Sequence, residues 1–203
     1  MILSLYFVFT REKLLLNSSV SFHFSGKSVT SIMATTKTDS HLIFSYGTLK
    51  RGFPNHHLIE TLICTGDVIF IGEYTTVSTF PLVRGPYGIP YLINIPGSGH
   101  RVKGELYKVK SNGLGPLDDL EGIEIGHYER LPVSVVGGDE VVVSAEAYFA
   151  HRSFGEGMWK RCGEMGLEEF SVDMAGKYER KEDRPSNRDF IQDITDFIHN
   201  GDN

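Results

Sequence analysis

The apolar positions of this chain fall into regular short runs from His41 onward. Residues 41–46 are mostly apolar without alternation, as in a strand buried on both faces. That run stops at Gly47-Thr48, and Lys50-Arg51-Gly52-Phe53-Pro54-Asn55 reads as a loop, because Gly and Pro both interrupt a strand. Between 56 and 63, apolar residues stand at 58, 59, 62 and 63, one face of a helix that Gly66 closes. Residues 68–80 are rich in β-branched and aromatic side chains and predict one or two strands. Further strands are expected over 91–95, 102–109, 128–136 and 141–150, the last two joined as a hairpin by Gly137-Gly138-Asp139-Glu140. Gly85-Pro86-Tyr87-Gly88 and Pro96-Gly97-Ser98-Gly99 read as turns, and 117–121 as a short helical turn.

Residues 151–180 show no clean period. Beyond them Pro185-Ser186-Asn187 is placed to cap a last helix. Phe190, Ile191, Ile194, Phe197 and Ile198 would form one face of it, expected to dock on the core. The pattern predicts an α+β chain: a small mixed β-barrel of about six strands, which leaves few exposed edges, with one or two short helices and a carboxy-terminal helix. The domain reading is a disordered or accessory segment over 1–38, a barrel domain over 39–180 and a helical tail over 181–203.

Composition narrows this picture. Hydrophobic residues at 40% and charged residues at 23% exclude wholesale disorder, and 22 glycines favour turn-rich architecture over a helix bundle. The net charge is −6 with scattered Lys and Arg, which argues against a nucleic-acid partner. No apolar run approaches the ~20 residues of a membrane-spanning helix, so no membrane partner is expected. The two cysteines, Cys64 and Cys162, match neither zinc spacing nor a disulfide framework and read as reduced thiols of a cytoplasmic protein, expected to be a monomer. Residues 1–38 contain one acid, Glu12, and many Ser and Thr. A secretory signal fits them poorly and an organelle transit peptide fits in part. A third reading starts the protein at Met33-Ala34, with 1–32 untranslated or accessory.

Two segments carry candidate chemistry. A buried strand that stops at Gly47-Thr48 leaves backbone N–H groups without ladder partners, and such donors can form a nest for a carboxylate or a developing oxyanion. Gly47 would let a ligand approach the backbone closely; many strands end this way without any ligand. The second segment is Leu117-Asp118-Asp119-Leu120-Glu121-Gly122-Ile123-Glu124. Leu117 and Leu120 anchor one helical face, and Glu121 borders it, where desolvation would raise its pKa toward the range of a general base. The alternative is a wholly solvated acidic face, and Asp118 and Asp119 read as serving the local turn and its solvation. The run lacks the ligand spacing of a calcium loop. Adjacent His56 and His57 point about 100° apart on a helix and cannot share a metal. Cys64, beside an apolar stripe, reads as a core thiol and not as a nucleophile.

The segment Phe44-Ser45-Tyr46-Gly47-Thr48-Leu49-Lys50-Arg51-Gly52, continued by Phe53-Pro54-Asn55-His56, resembles the signature of the γ-glutamylamine cyclotransferases. These belong to the wider γ-glutamylcyclotransferase-like group, which includes plant proteins named for induction by avirulence signals. Further matches follow in order at Phe80-Pro81-Leu82-Val83, Ile89-Pro90-Tyr91-Leu92, Pro96-Gly97-Ser98-Gly99, Val102-Lys103-Gly104-Glu105-Leu106-Tyr107 and Leu117-Asp118-Asp119-Leu120-Glu121. The resemblance spans roughly 41–150 and weakens beyond Ala150. It implies a partly open six-stranded barrel with a pocket at one end and Glu121 as the catalytic acid/base. It also implies that Tyr46 and the backbone of Gly47, Thr48 and Leu49 hold a γ-glutamyl group. The implied reaction needs no metal, cysteine or organic cofactor and releases 5-oxoproline from a small γ-glutamyl substrate. The alternatives are a cyclotransferase for γ-glutamyl amino acids or glutathione, and a non-catalytic stress- or defence-related binding protein of the same fold.

Overall fold

The computed structural model describes residues 39–185 and 189–200. The readings of 1–38 and the capping roles of Ser186 and Asn187 fall outside these residues. Among those described, the strands are β1 (Ser40–Ser45), β2 (Val68–Thr76), β3 (Leu82–Arg84), β4 (Pro90–Leu92), β5 (Lys103–Lys110), β6 (Tyr128–Val136) and β7 (Val142–Ala150). The helices are α1 (His56–Cys64), α2 (Ser111–Glu121), α3 (Gly155–Arg161), α4 (Val172–Ala175) and α5 (Phe190–His199).

Five strands close on themselves in the order β1-β5-β2-β6-β7, and β7 returns to β1. Four of these pairings are antiparallel; the closing one is parallel, with Ile43 opposite Glu146. Farther along β7, Phe149 pairs with Leu92 of β4, and β4 in turn carries β3. One edge of β7 is therefore shared between β1 and β4. The ring holds five strands where about six were expected, because β4 extends from the shared edge instead of entering the ring.

The unbroken apolar run of β1 has a direct cause: both faces of the strand are covered. Phe44 joins Leu106, Val133, Val135, Ala145, Ala147 and Phe149 in a cluster drawn from β1, β5, β6 and β7, the interior of the ring. The alanines of β7 suit a narrow lumen. The neighbouring Ile43, with Tyr107, Val109 and Tyr148 from the same strands, points the other way. There it packs with Ile59 and Leu62 of α1, Leu117 of α2, Met158 and Trp159 of α3 and Ile194 of α5. Alternation along a strand thus splits successive residues between two cores.

Several sequence expectations change in detail. Helix α2 begins at Ser111, well before the expected turn; Gly113, Gly115 and Pro116 mask the helical pattern while Leu114 and Leu117 are buried. Residues 82–84 form a strand too short for periodicity to show, and 151–180 contain α3 and α4. Cys64 is exposed, which corrects the core-thiol reading: α1 buries Ile59 and Leu62 and turns Cys64 to solvent. The carboxy-terminal stripe does dock: Ile194 is fully buried, with Phe190, Ile191, Phe197 and Ile198 packed against the outer core. Asp189 caps α5, its side chain accepting from the Ile191 amide. Among the described residues no helix is long and apolar enough to cross a membrane.

Candidate active site

The site lies where β1 leaves β7 and β4 takes its place. Tyr46, just past the end of β1, donates its hydroxyl to the Tyr148 carbonyl at 2.6 Å and accepts the Leu92 amide at 3.2 Å. These are backbone groups of β7 and β4, so the phenol closes the seam between the two ladders. An unpaired buried backbone group is costly, so the hydroxyl has a structural task. Tyr46→Phe is accordingly expected to lower stability by about 1–3 kcal/mol, read as a fall in Tm. An unchanged Tm would show that the seam is held elsewhere.

Beside this seam is a cavity of about 800 Å³ lined by Tyr46, Gly47, Thr48, Leu49 and Glu121, among others. The turn after β1 is tied down through its carbonyls. Gly47 O accepts from the Lys50 amide at 3.2 Å, Thr48 O from the Asn55 amide at 3.0 Å, and Leu49 O is 2.8 Å from His56 Nδ1. The N–H groups of Gly47, Thr48 and Leu49 donate to no protein group among the described residues. Three successive amides left open beside a cavity are the donor set that a carboxylate or oxyanion requires. Gly47 is held close to β4: a Cβ there would lie 2.9 Å from Cγ of Pro90.

Glu121 reaches the same cavity from α2. It is the last helical residue, and Gly122, at φ 65°, turns the chain in the left-handed conformation that glycine adopts without strain. Glu121 is half-buried, and its carboxyl accepts no hydrogen bond among the described residues. Burial foremost, then the negative charge of Asp118, pushes its pKa up to about 8. Asp118, one helical turn earlier, is fixed by Tyr148, whose hydroxyl donates to it at 2.7 Å, and by Arg130 at 3.2 Å. The other groups facing Glu121 are phenols. Tyr91, Tyr128 and Tyr148 come from three different strands and Tyr46 from just past β1, all with pKa values raised, chiefly by burial. Behind them His127 sits 2.9 Å from the Tyr91 hydroxyl. Burial first, then Arg184 and Lys181, push its pKa down to about 3, so the imidazole is neutral at ordinary pH. The result is a carboxyl that can gain and lose a proton near neutral pH beside phenols and the charge of Asp118.

Tyr46, Gly47, Thr48, Leu49 and Glu121 thus border one cavity, although Glu121 and the turn are far apart in the chain. The reading of Asp118 as a turn and solvation residue is corrected: it belongs to the cavity wall and acts on the charge of Glu121. Tyr91, Tyr128, Tyr148 and His127 were missed, since in sequence they are ordinary strand or loop residues. The carboxy-terminal segment contributes Tyr178, Arg184 and Phe190 to the wall, residues that no motif in the sequence marks individually. His56 and His57 serve the local backbone, at Leu49 O and Pro54 O respectively.

Fold and site together define a small barrel protein with a cavity between an amide-rich turn and a weakly acidic carboxyl. The chain belongs to the γ-glutamyl cyclotransferase, AIG2-like family, whose model matches residues 43–161. A protein of Arabidopsis thaliana, named provisionally as a γ-glutamylcyclotransferase, is 41% identical over 176 residues, covering 80% of this chain and 94% of that relative. The γ-glutamylaminecyclotransferase of Rattus norvegicus is 46% identical over 94 residues, 46% of this chain and 62% of the rat protein. A crystal structure of an AIG2-like protein from Mus musculus superposes with a TM-score of 0.60 at 30% identity, covering 73% of this chain and 99% of that one.

Proposed function

We propose that the protein is a cyclotransferase that converts γ-glutamyl amides to 5-oxoproline and a free amine, with Glu121 as general acid and base. The observation that carries this reading is a single weakly acidic carboxyl lining the same cavity as the open amides of residues 47–49. The rat relative, by its name, acts on γ-glutamylamines. In this reading the catalytic unit is the barrel over 39–180 together with α5, whose apolar face packs on its outer core.

The chemistry asks little of the protein beyond positioning and one proton carrier. The open amides of the turn bind the glutamyl group and fold it so that its α-nitrogen faces its own γ-carbonyl. Glu121, as carboxylate, takes a proton from the α-ammonium group. The freed amine attacks the γ-carbon, and a new C–N bond closes the five-membered lactam. The amide C–N bond to the leaving amine then breaks as protonated Glu121 gives its proton to that nitrogen, and the second proton still on the ring nitrogen follows through Glu121, so that the amine leaves as an ammonium ion. Electrons and protons balance within the substrate and one carboxyl, as general acid–base catalysis requires. Partial burial among the phenols leaves the proton affinity of Glu121 high.

Release of 5-oxoproline from a panel of γ-glutamyl compounds tests the reading directly. A protein that binds these compounds but turns over none would be a binding protein of this fold instead. The pH dependence follows from the site. The base must be ionised, and its ionised fraction rises with pH up to about 8. The rate at subsaturating substrate should climb by roughly tenfold per pH unit below that value and then level. Asp118→Asn removes the negative charge that helps raise the Glu121 pKa, so the rising limb should move to lower pH. A limb that stays in place in D118N would separate Glu121 from the observed titration.

A further inference from the structure

Residues 162–203 lie outside the segment that matches the family model. Tyr178, Lys181, Arg184 and Phe190 nevertheless line the same cavity as Glu121. The environment of Arg184 is unusual for a half-buried cation. Its Nε and Nη2 donate to the Glu179 carbonyl at 3.0 and 2.9 Å, and Nη2 also to the Tyr178 hydroxyl at 3.3 Å. Both acceptors are neutral. Although Glu182 and Asp193 line the same cavity, no described carboxylate is within ion-pair distance of Arg184, and Nη1 donates to no described group. The guanidinium is held in place by rings, with the centroids of Phe190, Tyr87 and Tyr178 at 5.2, 5.5 and 5.5 Å.

Tyr178 has the same kind of unused capacity. Its oxygen accepts from Arg184 and from Asn55 Nδ2, the latter at 3.0 Å, while its own proton has no acceptor among the described residues. The second proton of that Asn55 amide goes to Thr48 Oγ1 at 2.9 Å. A continuous chain of bonds therefore runs Arg184–Tyr178–Asn55–Thr48 and fixes the cation relative to the turn. Two adjacent open donors, one of them charged, call for an anionic oxygen acceptor, and a carboxylate meets a guanidinium and a phenol O–H well.

We infer that Arg184 and Tyr178 form a subsite for a carboxylate on the leaving amine, so that the favoured substrates are γ-glutamyl derivatives of amino acids rather than of simple alkyl amines. This inference rests on the cyclotransferase reading above. The turn at 47–49 takes the glutamyl end, and Arg184, tied to that turn through Asn55 and Tyr178, reads the other end. The charge of Arg184 reaches the cavity interior, since it contributes to keeping His127 neutral. Phe190 and Tyr87 supply an apolar surface beside the subsite, suited to the carbon skeleton of the leaving amino acid.

The test uses two substrates that differ only in the carboxylate, γ-glutamyl-alanine and γ-glutamyl-ethylamide, with the full-length protein. The readout is the ratio of their kcat/KM values, from which any general loss of activity cancels. In the wild type the ratio should favour γ-glutamyl-alanine by about tenfold or more, the worth of one charge-assisted pair. Arg184→Met should bring the ratio close to one. Tyr178→Phe, which keeps the ring and removes only the hydroxyl, should lower it several-fold. A wild-type ratio of one or less, with the ethylamide turned over, would overturn the subsite while leaving the cyclotransferase intact. Parallel loss on both substrates in both variants would also overturn it, by showing that Arg184 and Tyr178 only hold the tail. Turnover of neither substrate by the wild type removes the catalytic reading, and the subsite with it.

Discussion

Glu121→Gln is expected to lower turnover by on the order of 10²-fold or more, while binding of the product 5-oxoproline weakens only slightly. The amide keeps the shape of the carboxyl and its capacity to hydrogen-bond, but it cannot take up the α-ammonium proton. Loss in kcat with little change in product affinity is the signature of an interaction needed in the transition state. The same substitution has a second consequence, opposite in sign. Folding raises the Glu121 pKa from an ordinary 4.5 to about 8, so the folded state holds this proton more tightly than the unfolded chain. The associated stability is fully present below pH 4.5 and is lost as pH rises through 8. Glutamine carries no charge at any pH and suffers no such loss. E121Q should therefore melt close to the wild type near pH 4 and about 4 °C or more above it at pH 9. A variant that keeps most of the wild-type rate would end the acid–base role. Equal Tm values at pH 9 would show that the carboxyl is not destabilised by its surroundings.

Gly47→Val should cost at least about tenfold in kcat/KM and also lower Tm, by about 1–3 kcal/mol of stability. A glycine that lets a ligand approach the backbone closely predicts damage to binding more than to folding, because a side chain there would meet the ligand. The structure assigns the first clash to protein: the new Cβ falls 2.9 Å from the Pro90 ring, and the valine branches add to the conflict. A proline ring in β4 has little freedom to yield, so the turn must move, and the open amides of 47–49 move with it. Gly47→Ala, which adds the Cβ without branches, should show a smaller version of both effects. A folded G47V protein with normal 5-oxoproline production would remove this turn from the site.

Much of the fold was legible in the chain because it is written in local chemistry. The doubly apolar run of β1, the stripe of α1 and the hairpin glycines before β7 each act over a few residues, where periodicity and turn preferences are strong. Helix α2 was legible only at its end, since Gly113, Gly115 and Pro116 disguise a segment whose helicity depends on burying Leu114 and Leu117. The strand count depended on which strand takes the free edge of β7, a competition between β1 and β4 that no local pattern records.

For the site, the sequence by itself determined the two ends of the chemistry: a strand that stops at Gly47 with amides to offer, and a carboxyl at the border of an apolar helical face. Those properties belong to single segments and survive without the rest of the fold. Tertiary structure alone decided that the two segments share a cavity, and that the Tyr46 hydroxyl closes a barrel seam. It also decided that Asp118 is held where its charge bears on Glu121. The phenols around Glu121, neutral His127 and the open donors of Arg184 and Tyr178 arise only when β4, β6, β7 and the carboxy-terminal segment meet. Burial and electrostatic coupling act through space between elements, so they set proton affinity at distances along the chain that no sequence period spans.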